Sequence, residues 1–392
     1  MSSTRKTKYH ALSGGEAAAQ AMRQINPDVV AMYPITPQTP IIESFAKMAA
    51  NGKVTTSIIN AESEHSAMSA VVGASAAGAR AMTATSSQGL AYMAEVCYIA
   101  SGIRLPIIMA VANRSLSAPL NIHGDQSDAM MLRDSGWIQI FSENAQEVYD
   151  NMLISLRLAE HPKVLTPAMV MQDGFITSHA VQNVLKLDDE IVKKFIGEWK
   201  PLYPLLDIDH PVTYGGLDLF DYYFEHKRQQ IEGIGNALKV LRAIDSEYAK
   251  ISGRKYSCIE EYRLKDASIA IVLMGSTAGT AKSVIDELRK KGIKAGLLKI
   301  RLFRPFPGEA IKKSLAKIKR VAILDKAAAP GASGALSNEI RALFAGAKKS
   351  PQFQSCIYGL GGRDVGLEDI GKIYADLQKG KISDKIKYIG LR

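Results

Sequence analysis

The stretch "VVAMYPITPQTP", Val29 to Pro40, starts as a strand and stops abruptly. Val29 to Tyr33 are apolar on successive positions, the pattern of a strand covered on both faces in a parallel sheet. Thr36 then stands between Pro34 and Pro37, with Pro40 beyond. The pyrrolidine rings fix φ at the prolines, and Thr36, preceding one, is biased to extended backbone. A hydroxyl held in this way loses little entropy on meeting a ligand. The same residues would also make a rigid strand-to-helix turn with no ligand role.

The pattern recurs outward from that stretch. "DVVAMY", "RAMTAT", "LPIIMAVA" and "AMVMQ" read as buried strands, short and bounded by Pro, Gly or polar residues. Helical patterns such as "HSAMSAVVGASAAG" and "GLAYMAEVCYIASG" lie between them, so the first part of the chain is an α/β domain with a largely parallel sheet. Near residue 200 the pattern breaks into "KPLYPLLDIDHPVTYGGLDL", followed by a polar helical segment from about Asp218 to Lys250. A second α/β unit follows, with strands "SIAIVLMGS", "KAGLLKI", "RVAILD" and "SCIYGL". The division is expected at 1–254 and 255–392.

Bulk properties narrow the function classes. The chain has 392 residues, 47% hydrophobic and 22% charged, enough for two or three soluble domains. The longest small-residue run, "AMSAVVGASAAGARAM", contains Arg80, so no membrane span is expected. "MSSTRKTKYH" is basic but has no apolar secretory core, which points to the cytoplasm. Cys97, Cys258 and Cys356 lie far apart and match no zinc, iron–sulfur or disulfide spacing, so no metal site is expected. The net charge is +10, with Lys and Arg dense between Lys282 and Arg320. That density reads as a solvated face or as docking to an acidic partner. Nucleic acid is disfavoured, because no aromatic residues interleave with the charges.

Ligands of open α/β sheets bind beyond the carboxyl ends of the strands. Three such ends carry chemistry here: Tyr33-Pro34-Ile35-Thr36, Ser86-Ser87-Gln88-Gly89 and Asn113-Arg114. They offer hydroxyls, amides, backbone donors and one guanidinium. Arg114 suits a small carboxylate through two parallel hydrogen bonds; it could equally form a structural ion pair with Asp125 or Asp128. His123, Asp125 and Asp128 read as a polar loop or, less simply, as metal ligands. In "NAESEHSAMSAVVGAS", helical spacing puts Glu64 on the face of Ala67, Met68, Val71 and Val72, and Glu62 on that of His65, Ser66 and Ser69. A carboxylate on a buried face is costly unless something satisfies it. Both residues also suit a helix first turn capped by Asn60 or Ser63.

"YPITPQTP", "ESEHSAMSAVVGA", "TATSSQGLAYM", "NRSLSAPLNIHGDQSD", "RDSGWIQ", "HPVTYGGLDLFDYYFEHKRQQIE", "LFRPFP" and "YGLGGRDV" together resemble the α subunit of multi-subunit pyruvate:ferredoxin oxidoreductases, in order along nearly the whole chain. The resemblance implies a pyrimidine-binding-type parallel-sheet domain of a thiamine diphosphate enzyme, followed by a domain like the C-terminal one of transketolase. It implies oxidative decarboxylation of pyruvate with coenzyme A to acetyl-CoA and CO2, electrons passing through [4Fe-4S] clusters on a partner subunit to ferredoxin. The partners implied are a β subunit that shares the cofactor, ferredoxin-like γ and δ subunits, and a dimer of such heteromers.

By the same resemblance, Glu64 bonds the aminopyrimidine ring nitrogen, Thr36 meets the substrate oxygens and Arg114, with Asn113, holds the substrate carboxylate. Tyr33, Pro34, Ile35, Ser87, Gln88 and Gly89 line the cofactor. No "GDG" followed by Asn occurs, and "HGDQ" and "QDGF" are partial matches in the wrong settings; diphosphate and Mg²⁺ are therefore expected on the β subunit. The "GSTAGT" turn of the second unit reads as a strand-to-helix turn or a phosphate cradle. Two rivals remain: a branched-chain or aromatic 2-oxo acid as substrate, and a non-catalytic assembly subunit that has kept the fold.

Overall fold

The computed structural model describes residues 9–392. The reading of the basic N-terminal stretch concerns residues 1–8 for the most part and lies outside the described residues.

Val29–Met32 is an inner strand of a seven-stranded sheet. The order across it is Leu302–Arg304, Ile138–Phe141, Ala168–Asp173, Ile108–Asn113, Ala81–Thr85, Val29–Met32, Ser57–Asn60. All neighbours are parallel except the first pair. The four strands legible in the sequence are four adjacent inner ones. Helices cover both faces: Val30 and Met32 pack towards Gly14–Ile25, Thr39–Ala50 and Ala145–Ala159, while Ala31 packs towards Glu64–Ala76 and Ala94–Gly102. Three strands are missing from the sequence reading: the inner Ile138–Phe141, whose apolar run is interrupted by buried Gln139, and two with weaker signals. Ser57–Asn60 is an edge strand with no fully buried residue, and Leu302–Arg304 has three residues and arrives from beyond position 255.

The chain leaves Val29–Met32, adds Ser57–Asn60 on one side, then crosses to Ala81–Thr85 on the other. That reversal is the topological switch point, where successive loops part and leave a crevice.

Residues 200–222 form neither helix nor strand, and a 30-residue helix, Tyr223–Ser252, follows. Its buried positions Gly233, Ala237, Val240, Leu241, Ile244 and Tyr248 recur at spacings of three and four and pack against Ala145–Ala159. The second sheet has six strands, ordered Lys387–Ile389, Gln352–Tyr358, Arg320–Asp325, Ile269–Leu273, Ala295–Ile300, Ile259–Tyr262, with only the last antiparallel.

The sheets are joined by apolar and ionic contacts. One cluster runs from Met68, Leu90 and Phe141 to Ile300, Phe303 and Ile323. Buried Lys299 lies 2.6 Å from each of Glu143, Glu147 and Glu260, and Lys282 is 2.8 Å from Glu143 and Glu260. Burial alone would lower the Lys299 ammonium, but the three carboxylates hold it above its ordinary value. Buried Arg301 pairs with Asp245 at 3.0 Å. Much of the basic run is thus engaged inside the chain: Lys282, Arg289, Lys290, Lys299, Arg301 and Arg304 each have an acidic partner. Lys291, Lys294, Lys312, Lys313, Lys317 and Lys319 remain exposed. Among the described residues no helix is long and apolar enough to cross a membrane.

Candidate active site at the switch point

The loop after Val29–Met32 lies over the crevice, and fully buried Gln38 holds it there. Gln38 Oε1 accepts from the Ile35 N–H at 3.3 Å, and its Nε2 donates to the Ala84 carbonyl at 2.9 Å, at the end of the neighbouring strand. Tyr33 and Ile35 are half-buried; Pro34 and Thr36 are exposed. The Thr36 carbonyl is engaged by Arg114, while its hydroxyl has no partner among the described residues.

Arg114 follows the fully buried strand Ile108–Asn113. Its Nη1 donates to the Thr36 carbonyl and its Nε to the Asn121 carbonyl, each at 2.9 Å. Nη2 has no partner among the described residues. The ion-pair alternative is therefore not what the chain builds. Asp128 accepts the main-chain N–H of Arg114 at 3.0 Å, and Asp125 accepts from Ser127 and from the Gly361 N–H. Burial pulls the Arg114 guanidinium down from its ordinary value, against the pull of Asp128. A cation desolvated in this way gains from an incoming carboxylate.

Fully buried Asp128 ties two strand ends together. It accepts from the Ser87 N–H at 2.9 Å, the Arg114 N–H at 3.0 Å and Asn113 Nδ2 at 2.8 Å. Burial pushes its carboxyl up to about 7 despite these donors. This corrects two expectations. The free backbone donor at Ser87 does not exist, because Asp128 takes it; Ser87 is sealed, at a positive φ of 48°, with its hydroxyl donating to the Ser115 carbonyl at 2.6 Å. Asn113 is sealed behind Arg114 with its amide nitrogen engaged by Asp128. Ser87 is thus engaged through both its N–H and its hydroxyl, while Asn113 Oδ1 is buried without a partner among the described residues. Gln88 is half-exposed beside them.

Glu64 begins the helix Glu64–Ala76, capped by Ser63, whose hydroxyl accepts from the Ser66 N–H at 3.1 Å. Glu64 is 8% exposed, whereas Glu62 is exposed and bonded to the Ser66 hydroxyl. The Glu64 carboxylate has no partner among the described residues. A Cβ on Gly89 would lie 2.8 Å from Glu64 Oε1 and 2.5 Å from Thr85 Oγ1, so a glycine is needed for the carboxylate to lie where it does. Thr85 Oγ1 is itself buried without a partner. An unsatisfied carboxylate beside a sealed hydroxyl, and a half-engaged arginine against a fixed loop with a free hydroxyl, thus follow the carboxyl ends of four neighbouring strands of one sheet. Such a set fits a heterocycle with hydrogen-bonding edge atoms next to a small carboxylate.

Other sequence candidates resolve differently. The Gly275-Ser276 turn does hold an anion, but it is the chain's own: Asp173 accepts from the Ser276 N–H at 3.0 Å and lies 3.2 Å from Lys326 Nζ. A phosphate cradle there is excluded by that carboxylate. His123, Asp125 and Asp128 do not converge, since Asp128 is enclosed by donors and the His123 ring packs on Phe175 at 5.0 Å. Glu143, Glu147 and Glu260 do converge, but Lys299 lies among them. The sequence does not single out Gln38, Asn121 or Thr85, and offers Asp128 only in other roles. The cue for Gln38 was an amide two residues after the fixed threonine, able to satisfy backbone in both directions; for Asp128 it was an acid closing a polar loop, first weighed only as a guanidinium partner or metal ligand.

Residues 20–246 match the family model of pyruvate flavodoxin/ferredoxin oxidoreductases, thiamine diphosphate-binding, and residues 267–370 match pyruvate:ferredoxin oxidoreductase core domain II. The chain belongs to the pyruvate flavodoxin/ferredoxin oxidoreductase family. Every strand end described above as part of the crevice falls within the first of these matches. Among family relatives, the pyruvate synthase subunit PorA of Thermotoga maritima is 56% identical over 383 residues, covering 97% of this chain and 98% of that protein. The PorA of Methanocaldococcus jannaschii is 45% identical over 384 residues, 97% of each chain. A ketoisovalerate oxidoreductase subunit VorA of Pyrococcus abyssi is 40% identical over 386 residues, again 97% of each. The fold also matches a solved 2-oxoglutarate:ferredoxin oxidoreductase from Magnetococcus marinus, with TM-score 0.74 at 19% identity. That match covers 94% of this chain but 65% of the other, so the chain spans about two thirds of that protein's length.

Proposed function

We propose that this chain is the α subunit of a pyruvate:ferredoxin oxidoreductase (pyruvate synthase). Its complex uses thiamine diphosphate and coenzyme A to convert pyruvate to acetyl-CoA and CO2, and passes the electrons through iron–sulfur clusters on partner subunits to ferredoxin. The observation that carries this reading is the placement of Glu64, Thr36 and Arg114 after neighbouring strand ends about the switch point, each with an unengaged polar group.

Thiamine diphosphate, when bound, supplies the carbon nucleophile and electron sink that decarboxylation of a 2-oxo acid requires. The chain's residues do the rest. Glu64 holds or moves a proton at a pyrimidine ring nitrogen, in a pocket where water competes poorly. Arg114 presents Nη2 to the substrate carboxylate, its direction set by two carbonyl bonds. Thr36 offers its hydroxyl to a substrate oxygen from a loop that needs no rearrangement. Tyr33, Pro34, Ile35, Gln88 and Gly89 form the wall, with Ser87 and Asn113 behind it.

On this reading a β subunit holds the diphosphate and Mg²⁺, in keeping with the lack of a "GDG" motif in this sequence. The [4Fe-4S] clusters on this reading lie on γ and δ subunits, in keeping with three cysteines here that are buried and far apart in sequence. The assembly is a cytoplasmic dimer of heteromers. Higher identity to the pyruvate synthase subunits than to the ketoisovalerate enzyme supports pyruvate as the substrate.

The test is anaerobic viologen reduction by the native complex, dependent on coenzyme A, with pyruvate and with 2-oxoisovalerate. A kcat/KM at least about tenfold higher for pyruvate, ~1.4 kcal/mol in the transition state, is expected. Preference for the branched acid would reassign the substrate and keep the residue roles; activity with neither would overturn the reading.

A further inference from the structure

Two motifs, "NIHGDQSD" and "YGLGGRDV", meet across the two sheets. The glycine turn after Gln352–Tyr358 grips the loop that follows Arg114. The Gly361 N–H donates to Asp125 Oδ2 at 3.1 Å, and the Gly361 carbonyl accepts from Asn121 Nδ2 at 3.0 Å. A Cβ on Gly361 would lie 2.4 Å from Asn121 Nδ2, and one on Gly362 would lie 2.4 Å from the His123 Cβ. Both glycines have positive φ, 57° and 75°, so two independent constraints favour glycine at this contact.

Asn121 faces the other way as well. Its carbonyl accepts from Arg114 Nε at 2.9 Å and from the Ser115 hydroxyl at 3.4 Å, while its Oδ1 accepts the His123 N–H at 2.7 Å. The guanidinium is planar, so bonds from Nε and Nη1 to carbonyls of two different loops fix both its plane and the direction of Nη2. The Thr36 side of that pair belongs to the first sheet. The Asn121 side is held by the second.

We infer that Asn121, anchored by the Gly361 carbonyl, is a positioning residue for Arg114, so that the second unit sets the geometry of substrate-carboxylate binding. This rests on the reading of Arg114 given above. It assigns the second unit a part in substrate recognition. Orientation matters here because a misaimed guanidinium forms one hydrogen bond to a carboxylate where an aligned one forms two.

The test uses the native complex carrying Asn121→Ala or Asn121→Asp in this chain, with Arg114→Lys and Gly361→Ala in parallel. Asn121→Ala removes the anchor and the Oδ1 bond to the His123 N–H but keeps the main-chain carbonyl that Arg114 uses. Asn121→Asp keeps the size but sets an oxygen against the Gly361 carbonyl. Both should raise the KM for pyruvate about five- to tenfold, the scale of one ordinary hydrogen bond, with the KM for coenzyme A and the melting temperature unchanged. A purely structural defect would instead lower kcat through a smaller active fraction and leave KM alone, which would overturn the inference. An unchanged KM in the Asn121 variants beside a raised one in Arg114→Lys would overturn it while the substrate reading stands. An unchanged KM in Arg114→Lys would overturn both.

Discussion

The carboxyl ends of the two sheets are built alike and used differently. In the first, the crevice at the switch point presents Glu64, the Thr36 hydroxyl and Arg114 Nη2 with no partner among the described residues. In the second, most of the corresponding polar groups are engaged, with Ser337 Oγ and Tyr358 Oη buried without a hydrogen-bond partner among the described residues. Ser276 and Lys326 hold Asp173, and Asp325 accepts the N–H groups of Leu336 at 2.7 Å and Ser337 at 3.1 Å, capping the next helix. Burial pushes the Asp325 carboxyl up to about 6, and those two donors pull it back. Buried polar groups are normally satisfied within the fold. Groups left unengaged on fixed loops therefore mark where a ligand supplies the missing bonds, and groups engaged across the sheets mark where the chain holds itself together.

The contrast breaks down if engaged groups prove dispensable for stability. The largest effect is expected at Lys299. Lys299→Met leaves Glu143, Glu147 and Glu260 close together with Lys282 as their remaining cation, and should lower unfolding free energy by about 3–5 kcal/mol in denaturant melts. Asp173→Asn comes next, at about 2–3 kcal/mol, because it leaves buried Lys326 without its counter-charge. Burial alone would raise the Asp173 carboxyl, but Lys326 and Ser276 hold it below its ordinary value. Its stabilisation is therefore fully present above the ordinary aspartate range and is lost as pH falls through the depressed folded value. Melts of Asp173→Asn should accordingly lose stability less steeply on acidification than those of the native chain. The smallest effect belongs to the exposed lysines. Lys312→Glu with Lys313→Glu should leave stability within about 0.5 kcal/mol, and should slow ferredoxin reduction at low salt if this face docks an acidic partner. An unchanged salt dependence would remove that docking role.

The sequence displayed the frame of each sheet because most inner strands are buried on both faces and read as short apolar runs. It hid the inner Ile138–Phe141, whose apolar run is interrupted by Gln139, and the edges, since Ser57–Asn60 is mostly solvated and Leu302–Arg304 pairs with Ile138–Phe141 from beyond the expected division at 255. Glu64 was legible from helical spacing, and Thr36 from its flanking prolines. Arg114 was legible as a residue, but its direction was not, because that depends on carbonyls of Thr36 and Asn121 brought together only by folding. Ser87 and Asn113 looked outward-facing in the sequence, and only the enclosed Asp128 shows that they face in. The basic run illustrates the same limit: composition counts Lys299 and Arg301 as surface charge, while the fold buries both in ion pairs.

The most direct test of the contrast is Glu64→Gln, followed by turnover and stability in the same preparation of the native complex. A neutral isostere removes an unpartnered buried carboxylate, so the melting temperature should hold or rise. Coenzyme A-dependent oxidation of pyruvate should fall about 10²–10⁴-fold, the range for loss of a positioned acid–base group, with the subunits still assembled. Unchanged turnover, or a loss of activity that merely follows a loss of stability, would contradict the account.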